Sequence, residues 1–337
     1  MTITNQLEEA TQMKAAIYEE YGSPSVLQIK KVAKPTPNDT EVLIRVYATT
    51  VNRTDCAMLR AKPFIMRFFT GLLKPSKTIL GTDFAGEIEA VGREVSSLKV
   101  RDKVFGFDDR GVNSHAQYMT RPENSAITTM PTNWTYQEAA ACLEGAHYAY
   151  NFINKISLKS GQKVLVNGAT GAIGSAAVQL LKYYGAYVTA VCNTKSIELL
   201  KSLGANKVID YTKEDFTKSD EKYHYVFDAV GKSSFAKCKP LLASGGIYIS
   251  SELGPMVQNP LLAIITPLTS SKKVIFPIPT DCKRSVLLIK KMIEEGKFKA
   301  VIDKTYILED IALAYSYVEK GEKTGNVVIT LEHLPYC

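Results

Sequence analysis

Residues 164–174 read VLVNGATGAIG, a short apolar run followed by glycines at positions 168, 171 and 174. The apolar run predicts a strand, and the small and apolar residues after it predict a helix. Glycines at such a junction allow a sharp turn, a close approach of backbone amides to phosphate, and tight packing of the helix on the strand. The stretch therefore predicts a dinucleotide site, with a ligand-free glycine turn as the alternative. The residues expected to hold the pyrophosphate are Gly168, Thr170, Gly171, Ala172, Ile173 and Gly174.

A second predicted strand, residues 187–192, ends about 20 residues beyond the loop, where such folds place the group that reads the adenosine ribose. An acidic side chain there would accept a hydrogen bond from a 2′-hydroxyl and repel a 2′-phosphate. This chain has Asn193, Thr194 and Lys195 instead, and its next acid is Glu198. Neutral donors and one cation predict NADPH as the cofactor, although Lys195 on its own also fits an ordinary solvated lysine.

Composition bounds the remaining possibilities. The chain has 337 residues, 45% hydrophobic and 22% charged, which suggests about two domains of a globular protein. Its net charge of +7 forms no arginine-rich tract or aromatic-interleaved basic stripe, so we expect no nucleic-acid binding. The six cysteines are too scattered for a CxxC pair or a zinc knuckle, which favours a reducing compartment.

The first residues, MTITNQLEEATQ, have no basic region followed by an apolar core, so neither a secretory signal nor a usual transit peptide is predicted. We expect a cytoplasmic protein whose residues 1–12 are a disordered or non-native leader, with Met13 as the alternative start. The longest apolar stretch, residues 261–265, is far too short to span a bilayer, and no stable membrane association is expected.

The order of predicted elements indicates an α/β protein. Residues 14–133 are rich in strand-like segments, and residues 136–152 form a helical pattern. From residue 163 strands alternate with helices, including a helix expected to run through residue 242, and this rhythm predicts a doubly wound parallel sheet. The remaining segments are a helix (285–295), a strand (306–308), a helix (309–320) and a strand (326–331).

Several longer motifs accompany the glycine loop. They are MKAAIYEEYG (13–22), EVLIRVYATTVNRTD (41–55), GTDFAGEIEAVG (81–92), DKVFGF (102–107), KSLGANKVIDY (201–211), FDAVG (227–231) and EKTGNVVI (322–329). Together they resemble the medium-chain dehydrogenase/reductase superfamily, in particular its zinc-free NADPH:quinone oxidoreductase-like branch. The resemblance implies a β-rich GroES-like catalytic domain (1–140 and 281–337), a Rossmann NADPH-binding domain (141–280), and a cofactor cleft between them.

Zinc-dependent members of the superfamily carry cysteine, histidine and cysteine or acid at three positions that here hold Asn52, Thr82 and Glu144. One carboxylate with two neutral oxygen groups is a poor tetrahedral zinc site, so no metal is expected. Without a Lewis acid the site should favour acceptors that are already electrophilic. The resemblance therefore implies hydride transfer to an apolar quinone or α,β-unsaturated carbonyl.

The resemblance places the acceptor near Asn52, which we expect to donate to its oxygen, with Thr54, Asp55 and Thr82 around it. A turn that bonds its own backbone is the alternative for Asn52 and Asp55. Tyr148 stands where the family usually has the Thr of a Thr-Ala pair, and His147 and Tyr148 are candidate donors to substrate, candidate proton sources or, equally, packing residues. Further cofactor contacts are implied for Tyr211, Ala229, Val230, Gly231, Ser250, Ser251 and Asn326.

Two segments carry predictions about surfaces. Residues 273–277 (KVIFP) are expected, by family analogy alone, to form an edge strand that pairs across a homodimer. Residues 63–75 (PFIMRFFTGLLKP) are most simply a core-packing helix; an acceptor-pocket wall and a membrane-surface contact are alternatives.

Two other functions stay open at this stage. One is an enoyl-thioester reductase, for which a basic patch facing a phosphopantetheine arm would be expected. The other is a non-catalytic NADPH-binding redox sensor, distinguished by whether NADPH is consumed.

Overall fold

The structure is a computed structural model that describes residues 11–333, the side chains of Ile65 and Phe69 excepted. It divides into a terminal unit (residues 1–144, 282–294 and 299–337) and a central unit (residues 145–281 and 295–298). Most of the expected leader, residues 1–12, lies outside the described residues, but Gln12 begins the first strand.

The strands, in chain order, are β1 (Gln12–Ile17), β2 (Gln28–Ala33), β3 (Glu41–Val51), β4 (Asp83–Val91), β5 (Lys103–Phe107), β6 (Tyr118–Pro122), β7 (Ile127–Thr129), β8 (Lys163–Asn167), β9 (Tyr187–Cys192), β10 (Lys207–Asp210), β11 (Tyr223–Asp228), β12 (Leu242–Ser250), β13 (Lys273–Ile275), β14 (Ile302–Ile307) and β15 (Asn326–Thr330). The α-helices are α1 (Arg53–Arg60), α2 (Arg67–Thr70), α3 (Tyr136–Ala141), α4 (Glu144–Ile153), α5 (Ala172–Tyr183), α6 (Ile197–Ser202), α7 (Phe235–Cys238), α8 (Gln258–Thr269), α9 (Cys282–Glu294) and α10 (Ile311–Glu319).

The terminal unit is built on a seven-stranded sheet in the order β14-β15-β3-β4-β5-β7, with β6 also paired to β3. The long strand β3 lies at its centre and pairs antiparallel with β15, β4 and β6. Apolar side chains such as Ile44, Phe84 and Val327 form its core with residues of α10. This packing fixes the ends of β3 and the start of β4, where the polar residues of the site lie.

The central unit contains a six-stranded sheet in the order β10-β9-β8-β11-β12-β13. Every pairing in this sheet is parallel, which confirms the doubly wound α/β fold predicted from the alternating elements. The strand order reverses between β8 and β11, and ligands of open α/β sheets bind at the carboxyl ends of strands at such a switch point. The glycine loop begins directly after β8.

Three predicted elements differ in the structure. The expected helix over 136–152 is two helices, α3 and α4, because the chain breaks at Cys142 and resumes at Glu144. The helix expected through residue 242 ends as the single-turn α7, because Pro240 follows and Leu242 already belongs to β12. Helix α8, which contains Pro267, was not predicted at all.

The core-packing explanation of residues 63–75 is wrong for four apolar side chains of the segment, which are exposed to solvent. Those side chains are Phe64, Phe68, Leu72 and Leu73. The segment forms only a short turn and the four-residue helix α2, too little structure to bury a continuous apolar face. In the described part of the chain, no helix is long and apolar enough to cross a bilayer.

Candidate active site

Three buried carboxyl groups lie together in the terminal unit. Asp55 is in the first turn of α1, Asp83 is the first residue of β4, and Glu144 is the first residue of α4. Repulsion from Glu144 raises the pKa of both aspartates, and repulsion from Asp83 raises that of Asp55 further. We call these three residues the acid cluster.

Asp55 and Asp83 are held by the chain around Asn52. Asp55 accepts backbone N–H bonds from Asn52 at 2.8 Å and Gly81 at 3.2 Å. Asp83 accepts the Thr50 amide at 2.9 Å and the Thr50 hydroxyl at 2.6 Å. The Asn52 amide Nδ2 donates to the Thr50 hydroxyl at 2.6 Å and to Asp83 at 3.3 Å. These contacts direct the Asn52 amide toward Thr50 and Asp83, and its donation to an acceptor oxygen stays a prediction.

Glu144 is bonded on both carboxyl oxygens. Oε1 accepts the Thr54 hydroxyl at 2.5 Å, and Oε2 accepts the Thr82 hydroxyl at 2.7 Å. Thr82 is fully buried, whereas Thr54 is half-buried and keeps part of its surface open. The structure thus brings Thr54, Asp55, Thr82 and Asn52 together in the terminal unit, and their roles toward an acceptor stay predictions. It adds Glu144 as the group to which two of them donate.

Burial sets the protonation of the acid cluster. Burial and then repulsion from Glu144 raise the pKa of Asp83 to about 7. The same two causes raise the pKa of Asp55 well above its usual range. Burial raises the pKa of Glu144 as well, against the hydroxyls of Thr54 and Thr82, which lower it. The cluster therefore retains a proton near neutral pH.

Lys323 and His115 flank the acid cluster and were not predicted as site residues. Burial lowers the pKa of the half-buried Lys323 to about 8, although Glu144 and Asp303 act to raise it. Burial lowers the pKa of His115 to about 4, so its ring is neutral at physiological pH. The histidine lies 2.9 Å from the Thr50 carbonyl and therefore donates to it through Nε2. Lys323 belongs to the EKTGNVVI motif. The only sequence feature that could have identified it as a site residue is its position three residues before Asn326.

In the central unit, the glycine loop has the shape that a pyrophosphate requires. Gly168 has φ +74°, and a Cβ on it would lie 2.6 Å from Val230. A Cβ on Gly174 would lie 2.1 Å from the Gly168 carbonyl oxygen, so the start of α5 packs tightly on the loop. A Cβ on Gly171 would meet nothing closer than 3.7 Å. The open side of Gly171, at the N-terminus of α5, is where backbone amides can receive an anion.

The residues after β9 form the predicted ribose end of the site. Lys195 and Tyr211 are exposed, and Asn193 accepts the Ser196 hydroxyl at 3.0 Å. Thr194 donates to the Asp210 carboxylate at 2.5 Å.

Sequence reasoning missed Asp210, because this acid comes from the next strand, β10. Its other oxygen accepts the amide and the hydroxyl of Thr212, at 3.0 and 2.7 Å. These hydrogen bonds lower the pKa of Asp210. Its carboxylate is therefore committed to holding Thr194 and the loop after β10.

A second missed carboxylate shapes the loop after β11. Asp228 accepts the Asn167 amide at 3.0 Å, the Gly231 backbone amide at 3.0 Å and the Tyr248 hydroxyl at 2.7 Å. These bonds tie the carboxyl ends of β8, β11 and β12 together. They fix the backbone of residues 229–231, the segment predicted to face the cofactor.

The remaining predicted residues are distributed over both units. The two candidate proton donors, His147 and Tyr148, lie on α4 in the central unit. His147 is buried, and the centre of its ring lies 5.9 Å from the centre of the Tyr148 ring. Ser250 is buried at the end of β12, and Ser251 follows it. Asn326 begins β15 in the terminal unit, and its amide donates to the Val301 carbonyl at 3.0 Å. That bond explains the position of Asn326 without a cofactor.

Two family models match the chain. Residues 38–152 match a model described as "Alcohol dehydrogenase GroES-like domain", and residues 203–329 match one described as "Zinc-binding dehydrogenase".

The chain is also similar, along most of its length, to proteins whose names state an activity. The chain is 30% identical over 332 residues to the "NADPH-dependent alkenal/one oxidoreductase, chloroplastic" of Arabidopsis thaliana, covering 94% of this chain and 79% of that protein. It is 31% identical over 331 residues to the "Quinone-oxidoreductase QR1, chloroplastic" of Triphysaria versicolor, covering 94% and 98%. Among solved structures, the quinone oxidoreductase from Coxiella burnetii superposes with a TM-score of 0.81 at 24% identity, covering 95% of this chain and 100% of that one.

Proposed function

The chain belongs to the medium-chain dehydrogenase/reductase superfamily, in its quinone oxidoreductase-like branch, and we propose that it transfers hydride from NADPH to a quinone or an α,β-unsaturated carbonyl. The observation that carries the proposal is Glu144, a buried carboxyl group with a threonine hydroxyl on each oxygen. This group can supply the proton that must follow the hydride. The names of the relatives, an alkenal/one and a quinone oxidoreductase, agree with such acceptors.

The residues of the glycine loop fit a dinucleotide. Gly168 and Gly174 leave no room for a side chain, and Gly171 leaves its outer side open at the start of α5. Lys195 is exposed beside Asn193 and Thr194, and its ammonium group suits a 2′-phosphate. NADPH, when bound, supplies the hydride. The chain's own part is to hold the phosphates with the amides of the loop and the charge of Lys195.

Glu144 and Thr54 provide the proton in this proposal. Hydride addition to the β-carbon of an enone, or to a quinone, leaves negative charge on the acceptor oxygen. The half-buried Thr54 hydroxyl, which donates to Glu144 at 2.5 Å in the structure, turns to donate its proton to that oxygen, and the protonated Glu144 carboxyl donates a proton to Thr54 in its place. One hydride and one proton are thus added, giving a hydroquinone or an enol that relaxes to the saturated carbonyl. Burial raises the pKa of Glu144 and so favours its protonated form.

The same residues do not fit a catalytic zinc ion. Of the three positions that resemble zinc-ligand positions, Thr82 donates its hydroxyl to Glu144, and Asn52 presents a donor amide to Thr50 and Asp83. Zinc in proteins is bound by thiolate, imidazole or carboxylate, and this set offers a single carboxylate. We propose that the reaction is zinc-independent.

Two properties of the whole molecule remain proposals. A homodimer is supported by β13, one of the two edge strands of the central sheet, and by the adjacent α8, whose Ile264 and Leu268 are 71% and 87% exposed. Sedimentation of the wild-type protein and of Ile264→Glu would test it; a monomeric wild type contradicts the proposal. A cytoplasmic location is supported by the free thiols at Cys56, Cys142, Cys192, Cys238 and Cys282.

The function is tested by a substrate panel. The chelator-treated enzyme is mixed with NADPH or NADH and with a quinone, a 2-enal, a cyclic enone or an enoyl thioester. We expect NADPH consumption with the first three acceptors and weak use of NADH. Preferential use of the thioester would make the protein an enoyl-thioester reductase, and no NADPH consumption with any acceptor would make it a binding protein.

A further inference from the structure

Residues 60–77, here called the basic loop, concentrate positive charge. They contain Arg60, Lys62, Arg67, Lys74 and Lys77, and no aspartate or glutamate occurs between Asp55 and Asp83. Five cations and no acid give this loop +5 of a net charge that is +7 for the whole chain. The loop is therefore strongly basic, as is the segment 272–291, whose six cations and one acid also give +5.

The basic loop also exposes large apolar side chains. Phe64 is 65% exposed, Phe68 69%, Leu72 54% and Leu73 86%. Exposed apolar residues are normal when they are scattered, but four within ten residues form a patch that calls for a partner. The exposed apolar residues and the cations thus lie within the same short segment, residues 60–77.

The base of the loop is fixed to the rest of the terminal unit. The Tyr21 hydroxyl lies 2.8 Å from the Thr70 hydroxyl and donates to the Gly71 carbonyl at 2.7 Å. The guanidinium of Arg67 lies over the Tyr21 ring, 4.9 Å from its centre. The Ser76 amide closes the segment by donating to the Thr70 carbonyl at 2.7 Å. The apolar side chains thus stand on an ordered base.

We propose that the basic loop docks the protein reversibly on a lipid bilayer that carries anionic headgroups. Phe64, Phe68 and Leu73 would insert at the boundary of headgroups and acyl chains, and the lysines would meet the lipid phosphates. Arg60 contributes less, because it is paired with Glu319.

Charge argues against a second copy of the chain as the occupant. A two-fold contact through this surface would place the same positive segment against itself. An anionic bilayer is complementary both to the cations and to the apolar side chains. This inference is independent of the proposed reaction, since docking uses neither NADPH nor an acceptor.

Vesicle flotation of the full-length protein tests the proposal. We expect the wild type to float with vesicles of phosphatidylcholine mixed with phosphatidylglycerol, poorly with phosphatidylcholine alone, and less as salt increases. The double variant Phe68→Ser, Leu73→Ser should lose flotation. The control Leu313→Ser, 61% exposed on α10 of the same unit, should keep it. Equal melting temperatures of the variants would show that all are folded.

Charge is tested separately from apolar insertion. Lys74→Gln should weaken binding to the anionic vesicles about fivefold, because one cation near such a surface contributes about that much. Lys99→Gln, an exposed lysine outside the loop, should leave binding unchanged. Absence of flotation at low salt, or equal flotation of the wild type and the double variant, would overturn the proposal. A raised KM for a water-soluble quinone in the double variant, without any flotation of the wild type, would assign the patch to the acceptor instead.

Discussion

Replacing Glu144 with glutamine should make the protein more stable and the enzyme slower. The pKa of Asp83 is raised from its usual 3.8 to about 7, by burial first and then by Glu144. A difference of about three pKa units corresponds to about 4 kcal/mol. Glu144 is the second cause of this shift, so removing its charge should stabilise the protein by on the order of 1 kcal/mol through Asp83 alone. Asp55 is repelled by Glu144 in the same way, so we expect about 1–2 kcal/mol in total.

The pH dependence follows from the direction of these shifts. A carboxyl whose pKa is higher in the folded than in the unfolded protein binds its proton more tightly when folded, so stability falls as pH rises between the two values. For Asp83 this interval runs from 3.8 to about 7. The variant Glu144→Gln should therefore melt at the wild-type temperature near pH 5 and about 2–6 °C higher near pH 8.

The activity of the same variant should change in the opposite direction. The glutamine can still bond Thr54 and Thr82, but it has no proton to release, so kcat should fall about 100-fold while the Kd of NADPH stays the same. Glu94→Gln, at an exposed position of the terminal unit, is the matched control. A melting temperature below that of the wild type at pH 8 would contradict the repulsion between Glu144 and the two aspartates, and an unchanged kcat would refute the proton-source role of Glu144.

Three further predictions concern the cofactor and the alternative donor. Gly171→Ala and Gly174→Ala should both weaken NADPH binding more than about tenfold. Only Gly174→Ala should also lower the melting temperature, because its Cβ would lie 2.1 Å from the Gly168 carbonyl oxygen. Equal melting temperatures of the two variants would contradict the packing argument. Lys195→Ala should raise the Kd of NADPH about fivefold and leave that of NADH unchanged, as fluorescence titration can show; a parallel change for NADH argues against a phosphate contact. Tyr148→Phe should change kcat less than about twofold at saturating substrate, because Glu144 supplies the proton; a large loss of kcat would return that role to the tyrosine.

The fold was predictable where periodicity is strong. The strand over residues 187–192 was predicted with the bounds that the structure gives to β9, because its apolar run is flanked by turn residues. Helix α8 was missed because Pro260 and Pro267 interrupt its pattern, yet the helix continues through the second proline. The break between α3 and α4 also escaped prediction.

The site was predictable only in part. Motif positions singled out Asn52, Thr54 and Thr82, but not the hydrogen bonds that join two of them to Glu144. Those contacts join residues 90 and 62 positions apart, which local sequence patterns do not specify. Asp210 was missed for the same reason, since it reaches Thr194 from a neighbouring strand.

The central claim is hydride transfer from NADPH to an activated acceptor without help from zinc. It is tested most directly by following NADPH labelled with deuterium at the transferred position, with a cyclic enone, on enzyme freed of metal by a chelator. We predict full turnover, with the deuterium recovered on the β-carbon of the product. Loss of turnover in the chelated enzyme, restored by added zinc, would contradict the account.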